Sequence, residues 1–129
     1  IGKRYPDQKE IIQQYELIPK AVTWQDKILF IETSEEKPNP ATFKTMLAAL
    51  DTHGMLKYVK AIIVGKPQDE CYYEAYKPIL LELTETYQTP ILYNVNIGHA
   101  VPRAIMPYGL KTTIDFENKT MTVIESLFK

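Results

Sequence analysis

Three short runs of almost uninterrupted apolar residues limit what this chain can fold into: Lys27-Ile28-Leu29-Phe30-Ile31, residues 59–64, and Ile91-Leu92-Tyr93-Asn94-Val95. Each has the length of a strand, and none alternates between apolar and polar as a strand with one wet face would. They predict strands covered on both sides, as in the sheet of an α/β protein. Each run ends abruptly, the first at Glu32-Thr33-Ser34, the second at Gly65, and the third in the loop Asn96-Ile97-Gly98-His99-Ala100-Val101-Pro102. Glycine and proline prevent that third strand from continuing.

Helical patterns separate the runs. After the turn Pro38-Asn39-Pro40, residues 41–51 place Phe43, Met46, Leu47 and Leu50 at three-to-four-residue spacing, and Gly54 follows as a stop. Residues 74–87 repeat the pattern with Ile79, Leu80 and Leu83, and Pro78 begins or kinks that helix. Residues 112–116 and 120–124, around Glu117-Asn118-Lys119, predict a closing antiparallel hairpin. Ahead of everything lies a polar connector, residues 1–26, with a weak helix over 7–17 that Asp7 could cap. The expected class is α/β with a mixed sheet, helices and a C-terminal hairpin, in one domain spanning residues 27–129.

The 129 residues, 45% of them hydrophobic, suffice for a single core. The chain opens Ile1-Gly2-Lys3-Arg4 without an initiator methionine, which reads as a fragment of something longer. Fifteen basic and sixteen acidic residues are interspersed, so nucleic acid is a poor partner. A single cysteine, Cys71, allows neither an internal disulfide nor an all-cysteine metal cage, in keeping with a reducing compartment and a cytoplasmic location. No window approaches the roughly 20 apolar residues of a membrane helix.

Ligands of open α/β sheets gather at the carboxyl ends of the strands. Glu32 directly follows the first strand, and His99 lies four residues past Val95. A carboxylate accepting a hydrogen bond from one imidazole nitrogen would leave the other free to take a proton from a nucleophile. A glutamate after a strand is also commonly a solvated loop residue, and a loop histidine commonly caps a carbonyl, so spacing alone leaves both readings open. The nucleophile candidates are few. Ser126 lies near the C-terminus, Cys71 follows Asp69-Glu70, whose charges disfavour a thiolate, and Ser34 lacks the glycine-flanked strand-to-helix elbow. Any nucleophile must come from elsewhere.

His53 and His99, the two histidines, form no metal-binding spacing, and no phosphate-binding glycine loop or cofactor motif occurs. His53 sits at a helix end, where it suits the dipole. Tyr72, Tyr73 and Tyr76 read as core-edge or interface residues, and Trp24 as a packing residue. Arg103, four residues past His99, could take a substrate carboxylate through its bidentate fork, although a surface ion pair explains it equally well.

At these residues the chain resembles the LD-carboxypeptidase family of serine peptidases, which includes the microcin C self-immunity peptidases. The matching segments are Lys27-Ile28-Leu29-Phe30-Ile31-Glu32-Thr33-Ser34-Glu35, Ala61-Ile62-Ile63-Val64-Gly65-Lys66, Pro90-Ile91-Leu92-Tyr93-Asn94, and Gly98-His99 with Met106-Pro107-Tyr108-Gly109, in the family's order. The resemblance covers residues 22–125 and implies a swivelling β/β/α domain, the C-terminal one of two. It assigns Glu32 and His99 to a Ser-Glu-His triad whose serine and oxyanion hole belong to the N-terminal domain, the chain's expected partner. The implied reaction is hydrolysis of an amide, either the bond to a terminal D-alanine in a muropeptide during cell-wall recycling or that of a peptidyl or aminoacyl nucleotide. It also implies a possible homodimer and no cofactor. A reading of another class is a non-catalytic α/β ligand-binding or interaction module in which Glu32 and His99 merely line a crevice.

Overall fold

A computed structural model describes residues 9–128, with the elements α1 (Lys9–Gln14), β1 (Ile28–Ile31), α2 (Pro40–Thr52), α3 (Met55–Tyr58), β2 (Ala61–Gly65), α4 (Tyr73–Thr84), β3 (Ile91–Val95), β4 (Thr112–Asp115) and β5 (Thr120–Val123). The expected cap at Asp7 lies outside the described residues.

The three apolar runs form one parallel sheet in the order β1-β2-β3. Because β2 has a neighbour on each side and cover on each face, all five of its residues are buried. That is the environment an unalternating run demands. Right-handed crossovers between sequential parallel strands place both connecting segments on the same face of the sheet. The core follows this rule: Ile62 and Val64 of β2 pack with Phe43 and Leu47 of α2, Leu56 of α3, and Tyr76 and Leu80 of α4. Leu29, Ile31, Ile91 and Tyr93 complete that face, and Trp24 packs against it from the connector. The Lys44 ammonium meets the Glu82 carboxylate at 2.6 Å and couples α2 to α4 at the surface.

The opposite face presents Phe30 and Ile63. The chain after β3 folds back over it, setting the Tyr108 ring edge-on to Phe30 at 5.8 Å between centroids. The parallel and antiparallel pairings expected within one mixed sheet are divided between two sheets, since β4 and β5 pair only with each other among the described residues. Helices occupy one side of the parallel sheet and the returning chain the other.

Helix limits follow local chemistry. The Asn39 side chain accepts a hydrogen bond from the Thr42 N–H at 3.0 Å and caps α2, and Pro40 opens its first turn, where the missing N–H costs nothing. His53 ends α2, and Gly54, at φ +74°, turns the chain into α3, a single turn that the sequence reading leaves unassigned. Pro78 is inside α4, one turn from its start rather than at its beginning. Of the three tyrosines, Tyr76 is core, donating its hydroxyl to the Pro38 carbonyl, whereas Tyr72 is exposed.

Candidate active site

Parallel strands in sequential order bring all three carboxyl ends to one edge of the sheet. Ile31 pairs with Val64, and Gly65 pairs with Val95, so Glu32, Lys66 and Asn96 begin their loops at the same level. Strand order never reverses here, so the crevice is formed by loops rather than by a gap between diverging strands. A bulge tunes the last strand. The register jumps between Val64–Tyr93 and Gly65–Val95, leaving Asn94 unpaired at φ +66° and re-aiming the chain toward the site. The Val95 carbonyl then accepts from both Lys66 N–H (2.8 Å) and Ile97 N–H (2.7 Å), and Ala104 N–H closes the loop onto the Asn96 carbonyl at 2.7 Å. Buried Ile97 and Ala100 anchor that loop and leave His99 half-exposed between them.

His99 and Glu32, 67 positions apart, meet: Nδ1 lies 3.2 Å from Glu32 Oε2. Two glycines permit the approach. At Gly98, φ +86°, a β-carbon would overlap the Glu32 carboxylate and lie 2.9 Å from Glu32 Cβ; at Gly65 it would lie 2.9 Å from the Ile97 carbonyl oxygen. Only hydrogen fits at either place, and Gly98 also needs a backbone conformation that other residues resist.

The second imidazole nitrogen has a partner the sequence reading does not single out. His99 Nε2 lies 3.0 Å from Glu35 Oε2, so the ring is held between two carboxylates. Its sequence signal is a second acidic residue in the loop that begins at Glu32. Arg103 is exposed and forms no ion pair with Glu32. Around the same edge the remaining loops tie to one another: Lys37 pairs with Asp69 at 2.6 Å and Lys66 with Glu70 at 2.9 Å. The hydrogen bond from Lys37, and then its charge, hold the Asp69 carboxyl below the usual carboxylate range. Lys37, Asp69, Glu70 and Tyr72 all have positive φ, so the two loops carry backbone strain.

A hollow of about 140 Å³ opens beside Glu32, lined by Phe30, Ile97, Gly98, Met106 and Tyr108. Larger cavities of about 420 and 820 Å³ lie by the hairpin and below β3, and neither touches Glu32 or His99. The pair therefore stands at an open rim rather than in an enclosed pocket. No group of three or more potential metal ligands occurs among the described residues.

Comparisons with known proteins identify the family. A family model of the LD-carboxypeptidase C-terminal domain matches residues 10–114. The microcin C7 self-immunity protein MccF of Escherichia coli is 33% identical over 101 residues, which make up 76% of this chain and 29% of that protein. The crystal structure of an MccF-like protein from Streptococcus pneumoniae in complex with AMP matches 95% of this chain and 36% of its own, at 41% identity and a TM-score of 0.83. The chain thus spans about a third of the length of these relatives. It belongs to the LD-carboxypeptidase family of serine peptidases and corresponds to that family's C-terminal domain.

Proposed function

We propose that Glu32 and His99 are the orienting carboxylate and general base of a Ser-Glu-His triad that hydrolyses an amide, the serine coming from a further domain of the same polypeptide. The observation that carries this reading is the 3.2 Å contact between His99 Nδ1 and Glu32 Oε2, made at a strand-end rim and available only because Gly98 lacks a side chain. A carboxylate on Nδ1 fixes the tautomer with its proton there and leaves the Nε2 lone pair for the nucleophile. Nε2 takes the serine proton as the oxygen attacks the carbonyl and returns it to the leaving amine, and Glu32 stabilises the imidazolium formed between the two steps.

The chain's own candidates do not fill the nucleophile's place. Ser126 Oγ donates to the Phe128 carbonyl at 2.6 Å, Ser34 belongs to a turn closed by Lys37 N–H, and Cys71 is half-buried in the loop before α4. The relatives' greater length supports a serine-bearing N-terminal domain as partner. By itself this chain is expected to hydrolyse nothing.

Two substrate classes fit the reaction. One is the amide before a terminal D-alanine in a muropeptide, processed in the cytoplasm during cell-wall recycling. The other is a peptidyl or aminoacyl nucleotide of the microcin type. The second is supported by the microcin immunity relative and by the solved relative in complex with AMP.

The test uses the full-length protein with a muropeptide tetrapeptide and an aminoacyl phosphoramidate of AMP. Glu32→Gln and His99→Ala should each lower kcat on the true substrate about a thousandfold while the circular dichroism spectrum stays unchanged. Near-normal turnover by His99→Ala would sink the triad and favour a non-catalytic binding module.

A further inference from the structure

The contact between Glu35 and His99 cannot coexist with His99 acting as a base. Glu35 Oε2 lies 3.0 Å from Nε2, where the base must present a lone pair to the nucleophile, and an ionised carboxylate offers that lone pair no proton. Glu35 Oε2 thus occupies the place that a serine oxygen or a leaving nitrogen takes during proton transfer, and it must leave that place before catalysis. Nothing anchors it: the side chain is 71% exposed, and the contact is an ion pair in open solvent, which is weak.

Where Glu35 goes is limited by its surroundings. Lys37 and Lys66 of the neighbouring loops are already paired, with Asp69 and with Glu70. Reacting atoms sit about 3 Å from one another in a near-attack geometry. A carboxylate that begins 3.0 Å from Nε2 therefore remains within a side-chain rotation of the substituents on the carbon next to the reacting carbonyl.

We infer that Glu35 is a specificity-determining residue that selects substrates bearing a free ammonium beside the scissile carbonyl, exchanging His99 Nε2 for that ammonium and so releasing the base. This rests on the triad reading above. It separates two kinds of substrate: an aminoacyl compound has the ammonium, and a peptidyl one, acylated at that nitrogen, lacks it. The latter has no charge with which to draw Glu35 off the imidazole.

The experiment compares the free-amine and N-acetyl forms of one aminoacyl phosphoramidate of AMP in the full-length protein. Glu35→Gln should lower kcat/KM for the free-amine form about tenfold, and leave that of the N-acetyl form unchanged or raised. A uniform fall for both forms, or no change for either, would overturn the assignment. A binding arm decides the matter without turnover: in a His99→Ala background, calorimetry should show Glu35→Gln weakening the free-amine ligand about tenfold and the N-acetyl ligand not at all. Equal affinities in that background overturn the role of Glu35, whereas loss of selectivity in binding with no hydrolysis by wild type overturns the triad reading instead.

Discussion

At the scale of single residues, the site depends as much on side chains that are missing as on those present. Gly98 stands at φ +86° with the Glu32 carboxylate where its β-carbon would be. Gly98→Ala must therefore both strain the backbone and push Glu32 off Nδ1. We expect a stability loss of about 1–2 kcal/mol and a fall in the full-length protein's turnover of at least tenfold, because the imidazole loses its orienting partner. Thermal melts and initial rates measure the two, and wild-type values of both would show that the close approach is not needed. Although spacing alone left their role open, that Glu32 and His99 share one edge of the sheet was legible in the sequence, because each lies past a strand whose apolar run is unmistakable and parallel strand ends converge. Glu35 was not, since which way a turn residue points depends on tertiary packing that no local pattern encodes. Arg103, in the same loop, is exposed, and its direction was not legible: four residues along an irregular loop fix no direction, unlike four along a helix.

At the scale of elements, local signals and tertiary context divide the work differently. The helix that follows β1 is announced by Asn39-Pro40, and the structure uses both, Asn39 Oδ1 accepting from Thr42 N–H and Pro40 opening the helix. Asn39→Ala leaves that N–H unpaired and should cost about 1 kcal/mol, read as a lower denaturation midpoint with an unchanged denaturant slope. Asn39→Asp, which keeps the acceptor and adds charge favourable to the helix dipole, should restore or exceed wild-type stability. The sequence was less informative where non-glycine residues take positive φ. Tyr72 immediately before α4 carries no composition signal that predicts such backbone, and Asn94, of a type that tolerates it, is masked by the apolar run around it. The separation of the hairpin from the parallel sheet was equally hidden, because β-propensity marks a strand without naming its neighbour.

At the scale of the whole molecule, acid sensitivity should come from carboxylates spread over its surface. Three lie below their ordinary value of 3.8: Asp26 through the hydrogen bond and charge of Lys60, Asp69 through those of Lys37, and Asp115 through the backbone and side-chain N–H groups of Asn118. The first joins the starts of β1 and β2, the second ties the loops at their ends, and the third closes the hairpin turn. A carboxyl whose folded value is depressed lends stability that is complete above the unfolded value and disappears as pH falls through the folded one. For the loop pair the upper limit follows the opposite sign. The hydrogen bond and charge of Asp69 raise Lys37 above 10.5, so its contribution is complete below 10.5 and is lost as pH rises through the higher folded value. Denaturation midpoints should thus be level across neutral pH and fall below about pH 4, and Asp69→Asn should flatten part of that fall. Salt separates the causes. The Asp26 and Asp69 contributions combine a hydrogen bond with a charge pair exposed to solvent, and 1 M salt, with its screening length of about 3 Å, should weaken the charge part. The Asp115 contribution is a pair of short hydrogen bonds to Asn118, at 2.9 and 2.8 Å, within one turn. At 1 M salt Asp69→Asn should therefore lose part of its effect, while Asp115→Ala lowers the midpoint as much as before, and equal sensitivity of both variants to salt would contradict this division.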